Sequence, residues 1–183
     1  LRACTSEEGP KGSARPRGWA DKSVFDWIDR NVSTLLPGAD LVLCDDGRSE
    51  SCDFLLAGRR AGRESVIMVH AKASKTPAFV SASALHEVCS QAAKQVGTIG
   101  QFGPVAPKQI PLWNGAWDGP GGEGTVDTRV RIAKGAWKGL DGPAIWARLQ
   151  LLLSSQSTDR EVLMVLGAVG TGKTSACMYP YVD

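Results

Sequence analysis

Residues 52–72 read CDFLLAGRRAGRESVIMVHAK. Two apolar runs, Cys52–Ala57 and Val66–Lys72, flank the polar, glycine-containing stretch Gly58–Glu64. Apolar runs of this length bounded by turn residues are strands, and so short a connection predicts an antiparallel hairpin. Side chains alternate between faces along a strand, so Asp53 shares a face with Leu55 and Ala57, and His70 shares one with Lys72. Pairing the two strands lets Asp53 meet the His70/Lys72 pair on one face of the sheet.

Working outward, Trp19, Val24, Phe25, Ile28 and Val32 recur at helical spacing, with Asp21 as the expected N-cap and Pro37-Gly38 as the stop. Ala39–Cys44 reads as a strand, and Asp45-Asp46-Gly47 as the turn that follows it. Beyond the hairpin, residues 81–96 form the clearest helix, with Leu85, Val88, Ala92 and Val96 as its apolar stripe, ended by Gly97 and Gly100. Residues 101–125 are rich in Gly and Pro and read as a long loop. Val126–Ile132 is an expected strand, Pro143–Leu153 a helix and Glu161–Leu166 a strand. The order α-β-β-β-α-loop-β-α-β predicts a mixed α/β fold, a central mixed sheet flanked by helices. Residues 1–18 read as a flexible basic arm, 19–166 as the domain, and 167–183 as its closing turn and tail.

The chain has 183 residues, enough for one domain whose core needs no disulfide staples. Its net charge of +2 neither requires nor forbids nucleic acid. No apolar run reaches the length of a bilayer span, so no membrane partner is expected. Five cysteines at scattered spacing do not form a disulfide framework, and they point to a reducing cytoplasm. With two histidines and no paired cysteines, a zinc site is not expected. The start at Leu1 suggests a piece of a longer protein. Oligomeric state is not legible.

Polar residues that interrupt apolar elements carry the chemistry. Asp53 and Lys72 lie at adjoining strand ends, and Glu87 and Gln91, four apart, share one side of the helix behind them. A carboxylate, a lysine and a second carboxylate suit Mg²⁺, which takes few oxygen ligands from protein and keeps waters. A lysine can orient the attacking water and offset developing phosphate charge.

The stretch Asp45-Asp46-Gly47-Arg48-Ser49-Glu50-Ser51-Cys52-Asp53-Phe54 resembles the DDG-x-x-E-x-x-D-F segment of a branch of the PD-(D/E)xK nuclease superfamily. His70-Ala71-Lys72-Ala73-Ser74 is similar to its H-x-K-x-S, and Glu87-Val88-Cys89-Ser90-Gln91-Ala92-Ala93-Lys94 to its E-V-C-x-Q-A-x-K helix. The similarity spans residues 19–96. It implies a restriction-endonuclease-like sheet and Mg²⁺- or Mn²⁺-dependent hydrolysis of DNA phosphodiesters. It further implies a place beside a helicase or NTPase module in a restriction or phage-defence protein. Asp53 would bind metal, Lys72 would be the signature lysine, and Gln91 would support the site. His70 stands where an acidic residue is usual and is a poorer Mg²⁺ ligand, so Glu50 or Glu87 would supply the missing carboxylate.

A second pattern competes. Gly167-Ala168-Val169-Gly170-Thr171-Gly172-Lys173-Thr174 matches G-x-x-x-x-G-K-[ST] after the strand at 161–166 and resembles the Walker A segment of P-loop NTPases. Gly167, Gly170 and Gly172 would let the backbone cradle ATP phosphates, Lys173 would reach them and Thr174 would help hold Mg²⁺. The remaining residues are too few for the rest of such a domain, so the alternatives are a nucleotide-binding fragment or a closing turn of the sheet. Arg59, Arg60 and Arg63 at the hairpin turn are candidate DNA-backbone contacts, and Trp113, Trp117, Trp137 and Trp146 are candidates for base stacking. A catalytically inactive domain that binds DNA or a partner is the third reading.

Overall fold

The computed structural model describes residues 4, 6–47, 51–73, 82–99, 106–119, 122–169 and 173–180. Helix α1 (Val24–Arg30) and the single turn α2 (Val32–Leu35) lead into strand β1 (Gly38–Cys44). Ser23 caps α1, its hydroxyl accepting from the Asp26 N–H at 3.0 Å. The expected cap, Asp21, is instead exposed and pairs with Arg30 at 3.0 Å.

Strands β2 (Phe54–Arg60) and β3 (Arg63–Ala73) form the expected antiparallel hairpin, with Phe54 opposite Val69 and Arg60 opposite Arg63. The turn shrinks to Ala61-Gly62, both at positive φ (49° and 83°). That is the backbone of a two-residue primed turn, whose twist suits a hairpin. Gly58 sits where β1 and β2 approach closely: a Cβ there would strike the Gly38 carbonyl.

Helix α3 (Ala82–Ile99) runs past Gly97, the first expected stop, and ends directly before Gly100, the second. The two added residues bury Ile99 with Val88 and Ala92, while Val96, expected on the apolar stripe, is exposed. The side chain of Leu85 lies outside the described residues. In the loop, β4 (Trp117–Asp118) pairs with β5 (Thr125–Val126) as a separate ladder. The expected strand at 126–132 is therefore split. The Arg129 N–H donates to the Gly115 carbonyl rather than to the sheet, and β6 (Val130–Ala133) begins only after it. Helix α4 (Gly142–Leu153) is capped by Asp141, which accepts from the Ala144 N–H at 2.9 Å, with Pro143 in its first turn. Strand β7 (Asp159–Val169) and strand β8 (Lys173–Pro180) complete the chain.

The main sheet has the order β6-β1-β2-β3-β7-β8, mixed because β3 and β7 are parallel while the other neighbours are antiparallel. A parallel neighbour needs a crossover, and residues 74–158, carrying α3 and α4, supply it. One face packs on α1, α2 and the N-terminal residues around edge-to-face contacts of Trp19, Phe25, Phe54 and Trp117. The other packs on α3 and α4 through Leu43, Leu55, Met68, Val162 and Met164. Arg160 joins the two helices on that face, donating to the Ile99 carbonyl at 3.4 Å and the Leu153 carbonyl at 3.2 Å. A cation suits helix C-termini, where the last carbonyls lack partners.

Residues read as an arm are packed on this body. Cys4 and Ala14 are buried, and the Gly12 and Ala14 N–H groups donate to the Gly122 and Glu123 carbonyls, both at 2.8 Å. Among the described residues no helix is long and apolar enough to cross a membrane.

Ala61 at φ 49° is in a region that costs an L-residue with a Cβ. Ala61→Asn, which tolerates that backbone and creates the favoured Asn-Gly turn, is expected to stabilise the domain by about 1 kcal/mol. Urea denaturation measures this, and a lowered midpoint would contradict the turn assignment.

Candidate active site

The hairpin delivers Asp53 and Lys72 to one end of the sheet. Asp53 directly precedes β2 and is 4% exposed. Its N–H donates to the Val69 carbonyl at 2.9 Å, and its carbonyl accepts from the Asp45 N–H at 2.9 Å. Its side-chain Oδ2 accepts from the Ala71 N–H at 2.6 Å. Backbone bonds on every side thus aim the carboxylate, with no long side chain to order.

His70 faces it, Nδ1 lying 3.9 Å from Asp53 Oδ2. That is beyond a hydrogen bond. The imidazole is 2% exposed, its Nε2 has no hydrogen-bond partner, and burial pushes its pKa down to about 4. His70 is therefore a neutral imidazole at physiological pH.

Two residues on, the Lys72 Nζ lies 2.9 Å from Glu87 Oε1 on α3 and 3.2 Å from Glu7 Oε2. Burial pulls the lysine pKa down, but the Glu7 and Glu87 carboxylates outweigh it and hold the ammonium above its ordinary range. Burial pushes Glu7 up to about 7 against the pull of Lys72, and it raises Glu8 and Asp46 as well. Gln91, one helical turn from Glu87, is half-buried. Glu50 lies outside the described residues.

The carboxylates of the DDG stretch hold the loop rather than solvent. Asp45 Oδ1 accepts from the Trp113 indole N–H at 2.6 Å, and its Oδ2 from the Ser51 N–H at 2.8 Å. Asp46 Oδ2 accepts from the Trp117 indole at 2.5 Å. Arg129 is buried beside them and donates to the Asp46 carbonyl at 2.7 Å. Burial pushes Asp45 up to about 6, with these hydrogen bonds and Arg129 opposing it. Trp113, Trp117, Trp137 and Trp146 are all buried, so none offers a face for base stacking.

Two further expectations take their places on the fold. Arg59, Arg60 and Arg63 sit at the opposite end of the hairpin, roughly 30 Å from Lys72 at 3.3 Å per strand residue. There they pair with Glu64 at 2.9 Å, with Glu161, and with Asp159 at 3.0 Å, respectively. The Walker A-like segment is not followed by a helix: Lys173 and Thr174 open β8, which runs antiparallel to β7. The phosphate cradle of a P-loop needs a helix N-terminus at that point. Gly167 lies within β7, where a Cβ would come within 2.8 Å of the Cys4 carbonyl and Val24 Cγ2. Close packing accounts for that glycine. Gly170 and Gly172 lie outside the described residues.

Among the described residues no three His, Cys, Asp or Glu side chains converge as a metal-binding group. Glu87 is turned to Lys72, His70 is buried with its Nδ1 beyond hydrogen-bond reach of Asp53, and Asp53 gives one oxygen to the backbone. The described side chains alone do not make the ligand set that the resemblance implies. Glu7 escaped the sequence reading because nothing periodic marks residues 1–18; the signal available was a Glu-Glu pair inside an otherwise basic stretch. Compared with known proteins, the chain matches no protein-family model, no curated protein and no solved structure.

The raised carboxyls and the lowered histidine set opposite pH dependences. Glu7 and Asp45 bind protons more tightly folded than unfolded, so their contribution fades as pH rises through about 6 to 7. His70 stays neutral when folded but charges when unfolded below its ordinary 6.5, so stability is lost as pH falls from there towards 4. The unfolding free energy from urea titration is expected to rise as pH falls from 8 towards 5, by about 1 kcal/mol down to pH 6.5, with His70 opposing the rise below that. In His70→Asn the rise below pH 6.5 should be steeper by about 1 kcal/mol per pH unit. An equal slope in that variant would remove His70 as the opposing group.

Proposed function

We propose that this domain is a restriction-endonuclease-like nuclease that hydrolyses phosphodiester bonds in DNA. What supports the reading is that Asp53 and Lys72, the two groups it requires, occupy one end of one hairpin. Glu87 reaches the same lysine from α3 at 2.9 Å. The order of segments along the chain and the element under each agree with the resemblance.

In this reading the Lys72 ammonium, charged at physiological pH, faces the scissile phosphate and offsets the charge that builds on its non-bridging oxygens. Asp53 is an acceptor fixed by the backbone and orients the attacking water. The water oxygen bonds to phosphorus and gives up one proton to solvent, the bond to the leaving sugar oxygen breaks, and that oxygen takes a proton from solvent. His70, neutral and buried, supports Asp53 from the side and carries no charge to the phosphate. Gln91 is assigned a contact to the phosphate or its water. Dependence on Mg²⁺ or Mn²⁺ belongs to the proposal, with Asp53 and Glu50 as the carboxylates for the ion. So does a helicase or NTPase module as the working partner.

Purified protein incubated with supercoiled plasmid and Mg²⁺ or Mn²⁺ is expected to nick or degrade it. Excess EDTA should stop the reaction, and Lys72→Ala should lower the rate at least about a hundredfold. Undiminished cleavage by Lys72→Ala removes the site assignment, and retention of DNA without cleavage under either metal favours a binding domain instead.

A further inference from the structure

We propose that Glu7, in the segment preceding α1, is a positioning residue of this site, its carboxylate and that of Glu87 holding the Lys72 ammonium between the two layers that cover the sheet. The role in hydrolysis rests on the nuclease reading; the grip on Lys72 does not.

The grip is built from both sides. Glu87 comes from α3, in the layer over Met68 and Met164. Glu7 comes from the layer of α1, and its own position is set by main chain. The first two N–H groups of α1, which no helix satisfies internally, donate to this segment: Val24 to the Ser6 carbonyl and Phe25 to the Glu7 carbonyl, both at 3.0 Å. Ser6 also bridges to Ser23, and Cys4 is buried in the same core. A side chain anchored in this way has a fixed origin.

An ammonium has three donors on a flexible four-carbon stem. With one on Glu7 and one on Glu87, the third has a defined direction. A lysine held by Glu87 alone, whose side chain is 53% exposed, would swing with it; the Glu7 side chain is 18% exposed. Other charged groups act on the same point. Glu8 and Asp46 both feel the charges of Lys72 and Glu123, and Glu8 also feels that of Asp46. Of these, Glu7 and Glu87 are in contact with Nζ.

Competitive acetylation tests the grip without reference to activity. The full chain is treated with limiting acetic anhydride at pH 9, and each lysine is quantified by peptide mass spectrometry. In the native chain Lys72 is expected to react at least about tenfold more slowly than the exposed Lys11 and Lys138, because a carboxylate pair holds its proton. Glu7→Gln should raise the Lys72 rate about tenfold, one pKa unit, and leave the other two unchanged. Glu64→Gln, at the far end of the hairpin, should change none. Lys72 reacting as fast as Lys11 in the native chain overturns the proposal even if the variant fails to fold, and so does a variant rate within about twofold of native. In the plasmid assay Glu7→Gln should lower kcat about tenfold with KM unchanged, the signature of a misaligned group. Faster acetylation with unchanged kcat would overturn the positioning role, whereas a native chain that cuts no DNA would overturn the nuclease reading alone.

Discussion

Strand β3 is held in register from both sides, by antiparallel pairs from Phe54–Val69 to Arg60–Arg63 and parallel pairs from Ser65–Asp159 to Ala73–Gly167. A strand's side chains change face with every residue, so a slip of one position would turn His70 and Lys72 away from α3 and bring Val69 and Ala71 in their place. The run from Val66 to Val69 is apolar and buried on both faces, so it is the polar residues at its end, His70 and Lys72, that a slip would misplace. The bond from the Ala71 N–H to Asp53 exists only in the present register. The placement of the site thus follows from the pairing of β3 with both of its neighbours.

Around this end of the sheet the fold carries a concentration of buried charge. Asp45, Asp46 and Arg129 are all nearly inaccessible, and each is hydrogen-bonded to something the loop supplies. An isolated buried charge is expensive; here the two indoles, the main chain and the guanidinium share the task. The loop from 109 to 119 is held to the strand ends by these bonds.

Much of the fold could be read directly. The hairpin, α3, α4 and β7 rest on local periodicity, turn residues and a proline in a first turn, all of which act over a few neighbours. Asp53, Lys72 and Glu87 followed from that periodicity because the hairpin is local. What escaped the reading depends on long-range pairing. Residues 4 and 6–18 have no periodic pattern, yet they pack because the first turn of α1 has donors to satisfy and the Trp19 face needs cover. Arg129 interrupts what alternates like a strand because its guanidinium is needed elsewhere. The Gly167–Thr174 match shows the limit of a motif: its glycines and lysine fit the pattern, and whether a helix or a strand follows is decided by the open edge of β7.

The parallel pairing of β3 with β7 also shapes how the chain reaches this structure. Each pair joins residues 94 apart, as Ser65 with Asp159, whereas Asp53 and Ala71 are separated by 18 and Lys72 and Glu87 by 15. Closing a long loop is slow because its entropy is lost before the contacts form. The hairpin therefore assembles on a faster timescale than the sheet that contains it. Until β7 docks, the edge of β3 that it covers is open, and an unpaired strand edge is the part of a sheet most exposed to misassociation.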